Sequence, residues 1–415
     1  MAQAPGIHAR RAALKLLDAV LRRDETLEQA GSAALRDVRS GPDRALARAI
    51  AAEALRWLVD LDSLIDSATR QRLPEDAKVR SVLRLMLTQA LRLETPPHAV
   101  IATALPLLSG GPRRLAHGVF GTLVKQGATL PDAPSLPEAV RERWGETATE
   151  IAQGLTHPPE LDLALKSSSQ TVEAASRMGG VNLMPGHVRL PRGSAIEALP
   201  GYDDGEWWVQ DLAAQLPTAL LGAGKERHAL DLCAAPGGKT MALSAAGWKV
   251  TALDLSKRRL DLLKANLKRT GLAASPVRAD ALTWEPKHEF DAILLDAPCT
   301  ATGTCRRHPD VLHRIGPRDI AAMAEVQRRL IGRAIGWLKP GGLFLYAVCS
   351  LERAEGEDQA EWMSHALEVE ALPITANELP RGLAPTPEGW LRTHPGMLRD
   401  DGGLDGFFIA RWRKA

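Results

Sequence analysis

The sequence has few cysteines and none of the spacings that bind metals. Its four cysteines, Cys233, Cys299, Cys305 and Cys349, form no CxxC pair and no zinc pattern in 415 residues. We therefore expect neither a disulfide framework nor a metal site. All four fall in the C-terminal half, which leaves a role as reactive thiols open to them.

The chain also lacks long apolar runs. No stretch approaches the roughly 20 residues that span a bilayer. Near the N-terminus, Arg10 and Arg11 have no hydrophobic region behind them, as a secretory leader would have. We expect a cytoplasmic protein without a membrane partner.

The composition is that of a folded, soluble chain. Hydrophobic residues make up 45% and charged residues 25%, and the length suits two or three domains. The net charge is only +2, but basic residues outnumber acidic ones in residues 1–130 and 215–415, and the reverse holds between them. This distribution suits either a polyanionic partner or a solvated, arginine-rich helical surface.

Two periodicities divide the sequence. Residues 7–127 carry apolar residues at helical spacing between Gly and Pro breakers, which predicts an all-helical domain. Prolines cluster at 131–137, and an acidic, weakly patterned stretch follows. From Leu212 short apolar strands alternate with amphipathic helices, which predicts a doubly wound, mostly parallel sheet. The predicted elements include strands at His228–Leu232, Lys249–Leu253, around Val277, Ala292–Leu295 and Leu343–Val348, and helices at Ser256–Thr270 and Ile320–Leu338, the second closed by a turn at 339–342.

The first of these strands runs into a glycine-rich turn, DLCAAPGGKT at 231–240. A P-loop would need Gly in place of Cys233, and the dinucleotide pattern G-x-G-x-x-G is absent. Acids end successive strands and could bind ribose and adenine: Asp231, Asp254, Asp280 and Asp296. The set favours S-adenosylmethionine. The competing interpretations are a turn that needs Gly only for its shape and acids that cap helices.

Two thiols follow predicted strands, Cys299 after Asp296 and Cys349 after Val348. Methylating a pyrimidine at ring carbon 5 needs a thiolate that adds to carbon 6, a partner such as Asp296 for ring nitrogen 3, and a group that removes the carbon 5 proton. The residues alone leave open which thiol attacks.

Other candidate groups have equally plain alternatives. Cys233 and Cys305 suit burial as small apolar side chains. The segment Arg306–Asp310 suits either a phosphate clamp or a solvated loop.

These segments together resemble the Fmu/Sun (RsmB-type) family of bacterial 16S ribosomal RNA cytosine-5 methyltransferases. The matching stretches are DLCAAPGGKT at 231–240, DAPCTATG at 296–303, RRHPD at 306–310, KPGG at 339–342, CS at 349–350 and DGFF at 405–408, with WVQD at 208–211 resembling the entry to the catalytic domain. The N-terminal helices resemble a NusB-like RNA-binding domain, with LRLM at 83–86 and FGTLVK at 120–125. The resemblance spans nearly the whole chain.

The resemblance implies a multidomain protein: a NusB-like helical RNA-binding domain over 1–130, a linker and small mixed α/β subdomain over 131–211, and an α/β Rossmann-like class I methyltransferase domain over 212–415. It implies methyl transfer to a cytosine in a single-stranded or loop region of 16S rRNA, with Cys349 as nucleophile, Cys299 assisting product release and Asp296 as a third catalytic residue. The implied S-adenosylmethionine-binding residues are Cys233, Ala234, Ala235, Pro236, Gly237, Gly238, Lys239, Asp254, Arg259, Asp280 and Asp296. We expect a monomer without a metal ion.

Two positions depart from the family pattern. Val348 stands where Thr is usual, and Thr300-Ala301 replace the commoner Ser-Gly. Both changes alter the surroundings of the thiols without removing a necessary group. Rival functions are a non-catalytic RNA-binding or ribosome assembly factor, a cytosine-5 methyltransferase acting on another RNA, and methylation of protein or DNA.

Overall fold

The structure, a computed structural model, describes residues 6–415. The chain forms two compact units. One holds the described residues up to His157 together with Cys305–Ile315, and the other holds Pro158–Thr304 and Gly316–Ala415. The predicted domain limits at residues 130 and 211 follow changes in sequence pattern and stay a prediction.

The first unit is helical, as its periodicity predicts. It contains α1 (Ile7–Arg23), α2 (Leu27–Ala34), α3 (Gly41–Arg56), α4 (Leu58–Ser67), α5 (Lys78–Leu91), α6 (Pro97–Ala104), α7 (Gly110–Lys125), α8 (Glu138–Trp144) and α9 (Ala148–Gly154). Thr26 caps α2 through a reciprocal bond with Gln29. The apolar stripes of α1, α3 and α7 share one core that includes Leu17, Ile50 and Phe120, because each stripe needs another to exclude water.

The second unit begins with a small antiparallel sheet. Its elements are β1 (Leu161–Leu165), α10 (Thr171–Met178), β2 (His187–Leu190) and β3 (Trp207–Val209), in strand order β2-β1-β3. Asp162 of β1 is buried and accepts two hydrogen bonds from Arg189, at 2.6 and 2.8 Å. Burial alone would raise the pKa of Asp162, but the hydrogen bonds from Arg189 and the proximity of His187, 3.2 Å away, outweigh it and hold that pKa low. Asp162 also accepts from the amide of Leu212 at 2.9 Å, which fixes where the next helix begins.

The remaining elements form the second and larger sheet with its helices. They are α11 (Leu212–Leu221), β4 (His228–Leu232), α12 (Gly238–Ala245), β5 (Lys249–Asp254), α13 (Lys257–Thr270), β6 (Ala274–Arg278), β7 (Phe290–Asp296), α15 (Pro317–Gly336), β8 (Leu338–Val348), α16 (Glu357–Ala366), β9 (Val369–Ala371), β10 (Leu391–Arg392) and β11 (Phe408–Lys414). The short helix α14 (Val311–Arg314) comes between β7 and α15 in the chain but belongs to the helical unit. The predicted strands at 228–232, 249–253, 292–295 and 343–348 all lie within these strands.

The strand order is β10-β11-β8-β7-β4-β5-β6, with β9 also paired to β11. Strands β6, β5, β4, β7 and β8 are parallel, and β11 runs antiparallel beside β8. After β4 the chain forms β5 on one side of β4, and it later forms β7 on the other side of β4. Ligands bind at such a reversal, beyond the carboxyl ends of the strands.

The predicted turn at Lys339–Gly342 is wrong, because these residues lie inside β8. The helix before them, predicted to run to Leu338, ends at Gly336. Leu338 pairs with Phe290 and Leu343 pairs with Ala292, so four residues bulge opposite one. Gly341 has φ +74°, a conformation that favours glycine. The glycines therefore serve the bulge.

One segment of the C-terminal half belongs to the helical unit. Within Cys305–Ile315, the Arg306 carbonyl accepts a hydrogen bond from Arg56 at 2.7 Å, and the His313 ring bonds the Leu55 carbonyl at 2.7 Å. Arg306 and Asp310 are buried. Their burial fits neither a phosphate clamp nor a solvated loop, whereas His308 is exposed.

Candidate active site

The predicted cofactor loop follows β4 and turns sharply into α12. Gly237 has φ +106°, and a Cβ at this position would lie 2.9 Å from Cγ of Leu263. Cys233 also has a positive φ, +62°. The amide of Ala234 bonds the Leu253 carbonyl at 3.1 Å, which ties the loop to β5. Only glycine fits at 237, so this part of the motif is dictated by packing.

Asp254 and Arg259 are brought together with this loop. Asp254 is buried; one of its carboxylate oxygens accepts from the amide of Ala235 at 3.1 Å and the other from the amide of Ser256 at 2.9 Å. Arg259 lies 3.8 Å from Asp254 and donates to the Ala235 carbonyl. Ser256, and not Asp254, caps α13. The helix-cap interpretation of Asp254 is therefore wrong.

The other two acids differ in exposure. Asp280 is exposed and accepts from the amide of Leu282 at 2.9 Å. Asp231 is fully buried, and its Oδ2 accepts from the Thr240 hydroxyl at 2.5 Å. Burial, reinforced by the nearby Asp296, raises the pKa of Asp231 to about 7. Within residues 6–415, its Oδ1 has no hydrogen-bond partner.

Asp296, at the end of β7, forms an ion pair with Lys239. Their side-chain atoms lie 2.7 Å apart, and the Lys239 ammonium lies 5.4 Å from the ring of Phe407. Burial would lower the pKa of Lys239, but Asp296 outweighs burial and raises it. A cavity of about 370 Å³ adjoins this pair, a size typical of small-molecule sites. Its lining includes Trp208, Gln210, Asp231, Ala234, Ala235, Pro236, Gly238, Lys239, Asn266, Arg269 and Asp296.

These residues fit S-adenosylmethionine. Asp231 is among the residues that line the cavity, and its carboxyl, with one oxygen unpartnered, suits the ammonium group of an amino acid. A Cβ at Gly238 would come within 3.2 Å of Gln210, so the glycine keeps the space beside the loop open. Sequence reasoning placed Asp231 among the strand-end acids but left it out of the cofactor set, because its burial cannot be read from the motif.

The two candidate thiols meet at the ends of adjacent strands. Cys299 follows β7, Cys349 follows β8, and their sulfur atoms lie 3.4 Å apart. Both are half-buried. The hydrogen bond to Cys349, together with burial, raises the pKa of Cys299 well above its ordinary value.

The other two cysteines have surroundings unlike those of this pair. Burial raises the pKa of Cys233 to about 12, and neighbouring carboxylates add to the effect. Cys305 is fully buried in the helical unit. The raised pKa keeps the Cys233 thiol protonated at neutral pH.

The two departures from the expected sequence have different surroundings. Thr300 keeps the hydroxyl of the usual Ser and donates it to Glu355 at 2.5 Å. Val348 is fully buried among apolar side chains that include Tyr346 and Phe408. Glu355, which sequence reasoning missed, is also fully buried; its only sequence signal is its place in a polar run after Cys349.

Comparison with known proteins gives the family. The model of the 16S rRNA methyltransferase RsmB/F family matches residues 218–413, and the NusB family model matches residues 7–109. Over 399 residues the chain is 32% identical to the ribosomal RNA small subunit methyltransferase B of Xanthomonas campestris pv. campestris, covering 90% of this chain and 91% of that protein. The chain belongs to the RsmB/F family of 16S rRNA methyltransferases.

Further relatives agree with this assignment. The ribosomal RNA small subunit methyltransferase B of Salmonella paratyphi B is 32% identical over 406 residues, covering 89% of this chain and 90% of that one. Among solved structures, a methyltransferase homolog protein from Pyrococcus horikoshii is 28% identical, with a TM-score of 0.56 over 67% of this chain and 94% of its own. NSun6 from the same organism, solved with SFG, is 20% identical with a TM-score of 0.57 over 67% and 98%, and shows the fold alone.

Membership in the RsmB/F family confirms the predicted fold, a NusB-like helical domain followed by a class I methyltransferase domain. It also confirms the prediction that the protein is an S-adenosylmethionine-dependent rRNA methyltransferase. The roles predicted for individual residues stay predictions. In residues 6–415 no helix is long and apolar enough to cross a membrane, and no cluster of three or more His, Cys, Asp or Glu side chains could hold a metal ion.

Proposed function

We propose that this RsmB/F enzyme transfers a methyl group from S-adenosylmethionine to ring carbon 5 of a cytosine in 16S rRNA, through a transient bond between the sulfur of Cys349 and ring carbon 6. The observation that carries the proposal is the pair of thiols 3.4 Å apart at the ends of two adjacent parallel strands. Asp296, at the end of one of these strands, supports it.

The chemistry explains why a thiol is needed. Carbon 5 of cytosine is a poor nucleophile, and addition of a thiolate to carbon 6 makes it electron-rich. The bound donor supplies an electrophilic methyl group. Carbon 5 then loses its proton to a base, and the thiolate leaves as the ring double bond re-forms.

The two thiols take different roles in this scheme. We assign the attack to Cys349, the thiol to which the family resemblance gives this role, and its sulfur lies 3.4 Å from that of Cys299. Cys299 assists release of the product. Asp296, which pairs with Lys239, shares a proton with ring nitrogen 3 and so neutralises the negative charge that develops there.

The donor would be held by residues of one edge of the sheet. These are Cys233, Ala234, Ala235, Pro236, Gly237, Gly238, Lys239, Asp254, Arg259, Asp280 and Asp296. The loop and Asp254 are already tied together by the amide of Ala235. Asp280, which is exposed after β6, remains available to an adenine amino group.

The RNA must present an unpaired cytosine. A base inside a duplex cannot be reached by Cys349, and extruding it is least costly in single-stranded or loop RNA. We assign RNA capture to the NusB-like residues 1–130 and the methyl transfer to residues 212–415, with 131–211 between them. The enzyme would act as a monomer in the cytoplasm.

The test uses the full chain, 16S rRNA and methyl-labelled donor. Cys349→Ala should abolish 5-methylcytosine formation, and Cys299→Ala should leave a protein–RNA adduct that resists denaturing gel electrophoresis. Cys305→Ala is the matched control and should keep activity, because its thiol is buried in the helical unit. Full turnover by Cys349→Ala would refute the assignment, and label on protein or DNA would refute the substrate.

A further inference from the structure

A buried carboxylate lies beneath the two thiol-bearing loops. Glu355 ends a short 3₁₀ turn, Arg353–Glu355, that follows β8 and precedes α16, and its side chain is fully buried. A buried carboxylate is costly unless hydrogen-bond donors surround it. The donors that surround Glu355 therefore indicate the role of its carboxylate.

Four donors converge on Glu355. The amide and hydroxyl of Thr300 donate at 2.9 and 2.5 Å, the side-chain amide of Gln327 donates at 3.1 Å, and the hydroxyl of Ser350 also donates. Thr300 follows Cys299 directly, and Ser350 follows Cys349 directly. One carboxylate thus binds the residue next to each thiol.

Gln327 extends the same network to the other side of Cys299. Its side-chain amide also donates to the carbonyl of Pro298 at 2.9 Å, so the residues before and after Cys299 are both fixed through Glu355. The carbonyl of Glu355 itself accepts from the Tyr346 hydroxyl at 2.6 Å, which anchors the turn on β8.

We infer that Glu355 is a positioning residue for the two catalytic thiols: it ties the loop after β7 to the loop after β8 and thereby sets the distance between Cys299 and Cys349. Hydrogen bonds to a carboxylate are roughly twice as strong as neutral ones. This inference rests on the proposed function only in calling the two thiols catalytic. The effect of Glu355 on the distance between the sulfur atoms does not depend on the proposed function.

The two loops are also joined by hydrogen bonds that do not involve Glu355. The amide of Gly303 donates to the Cys349 carbonyl at 3.0 Å, and the Thr302 hydroxyl lies 3.2 Å from that of Ser350. These bonds are between neutral groups, and they remain when Glu355 is neutralised. Neutralising Glu355 should therefore loosen the loops without unfolding the domain.

The experiment compares Glu355→Gln with Glu361→Gln in the full chain. Glutamine keeps the size of the side chain, but its NH₂ group faces donors where the carboxylate accepted bonds. Glu361 pairs with Arg353 on the surface and touches neither thiol loop, so it is the matched control. Kcat for methyl transfer, the Kd for S-adenosylmethionine and the rate of Cys299–Cys349 disulfide formation with diamide are measured for both.

For Glu355→Gln we expect kcat to fall by about 10²-fold, as for a misplacement of about 1 Å, with disulfide formation slowed by a similar factor. The Kd for the donor should stay within about twofold, because the loop at 233–239 is untouched, and Glu361→Gln should match the wild type. Wild-type kcat and disulfide rate in Glu355→Gln would overturn the inference. So would a loss of kcat with an unchanged disulfide rate.

A second pair of variants keeps the test decisive if Glu355→Gln does not fold. Thr300→Val removes the hydroxyl that donates to Glu355, and Thr300→Ser retains it. The valine variant should slow both methyl transfer and disulfide formation, and the serine variant should restore both. Equal behaviour of the two variants would overturn the inference. The disulfide rate needs no RNA, so it separates this result from failure of Cys349 as nucleophile.

Discussion

Replacing Asp231 by asparagine should stabilise the ligand-free protein at high pH. Burial raises the pKa of this carboxyl from 3.8 to about 7, so the folded state favours its protonated form. The resulting stability is fully present below about pH 4, the unfolded pKa, and is lost as pH rises through about 7. At about 1.4 kcal/mol per pH unit, the charged carboxylate costs roughly 4 kcal/mol at pH 8. Asparagine stays neutral and can still accept a hydrogen bond from the Thr240 hydroxyl.

The assay is urea unfolding of both proteins between pH 4.5 and pH 8. The unfolding free energy of Asp231→Asn should gain on the wild type by roughly 3 kcal/mol over that range, because part of the effect is already present at pH 4.5. Titration with S-adenosylmethionine at pH 8 should show the opposite trend, with binding weakened about tenfold or more, because an amide cannot neutralise an ammonium group. A stability difference independent of pH would refute the reasoning.

Three further substitutions test separate parts of the structure. Gly303→Ala should abolish methyl transfer but leave donor binding unchanged in calorimetry, because a Cβ there would lie 1.9 Å from the Gly406 carbonyl oxygen; an active variant would contradict this. Asp162→Asn should lower the unfolding free energy in urea by roughly 3–5 kcal/mol, since it leaves Arg189 buried without a counter-charge; a negligible loss would argue against the pair. Val348→Thr should lower the unfolding free energy in urea by about 1–3 kcal/mol, because its hydroxyl would enter an apolar cluster. A rise in kcat for methyl transfer would show instead that this hydroxyl assists the nucleophile.

The sequence predicts most of the larger sheet because its central strands contain short apolar runs, such as Ala292–Leu295. His228–Leu232 was predicted at its observed limits, and the glycine-rich turn follows it as expected. The thiols were predicted to follow two strands, which places them at one edge of a parallel sheet. That their strands are neighbours, β7 beside β8, depends on pairing across the chain and has no local signal.

The errors have physical causes that local patterns do not carry. Lys339–Gly342 reads as the end of a helix, because glycine and proline serve bulges and turns alike. Arg306 is buried, and its carbonyl accepts a hydrogen bond from Arg56, 250 residues away in the chain, a contact that no local pattern indicates. The role inferred for Glu355 likewise depends on donors from two distant residues, Thr300 and Gln327, so a lone glutamate in a polar run gave no indication of it.

The central claim is the bond between Cys349 and the target base. The most direct measurement uses 16S rRNA containing 5-fluorocytosine, which has no carbon 5 proton to lose and so traps the adduct once the methyl group has been transferred. After incubation with S-adenosylmethionine, digestion and mass spectrometry identify the modified peptide. We expect one RNA-bearing peptide, which contains Cys349 and carries the nucleotide together with the methyl group. An adduct on Cys299, or methylated cytosine formed from normal rRNA with no trapped adduct from the fluorinated RNA, would contradict it.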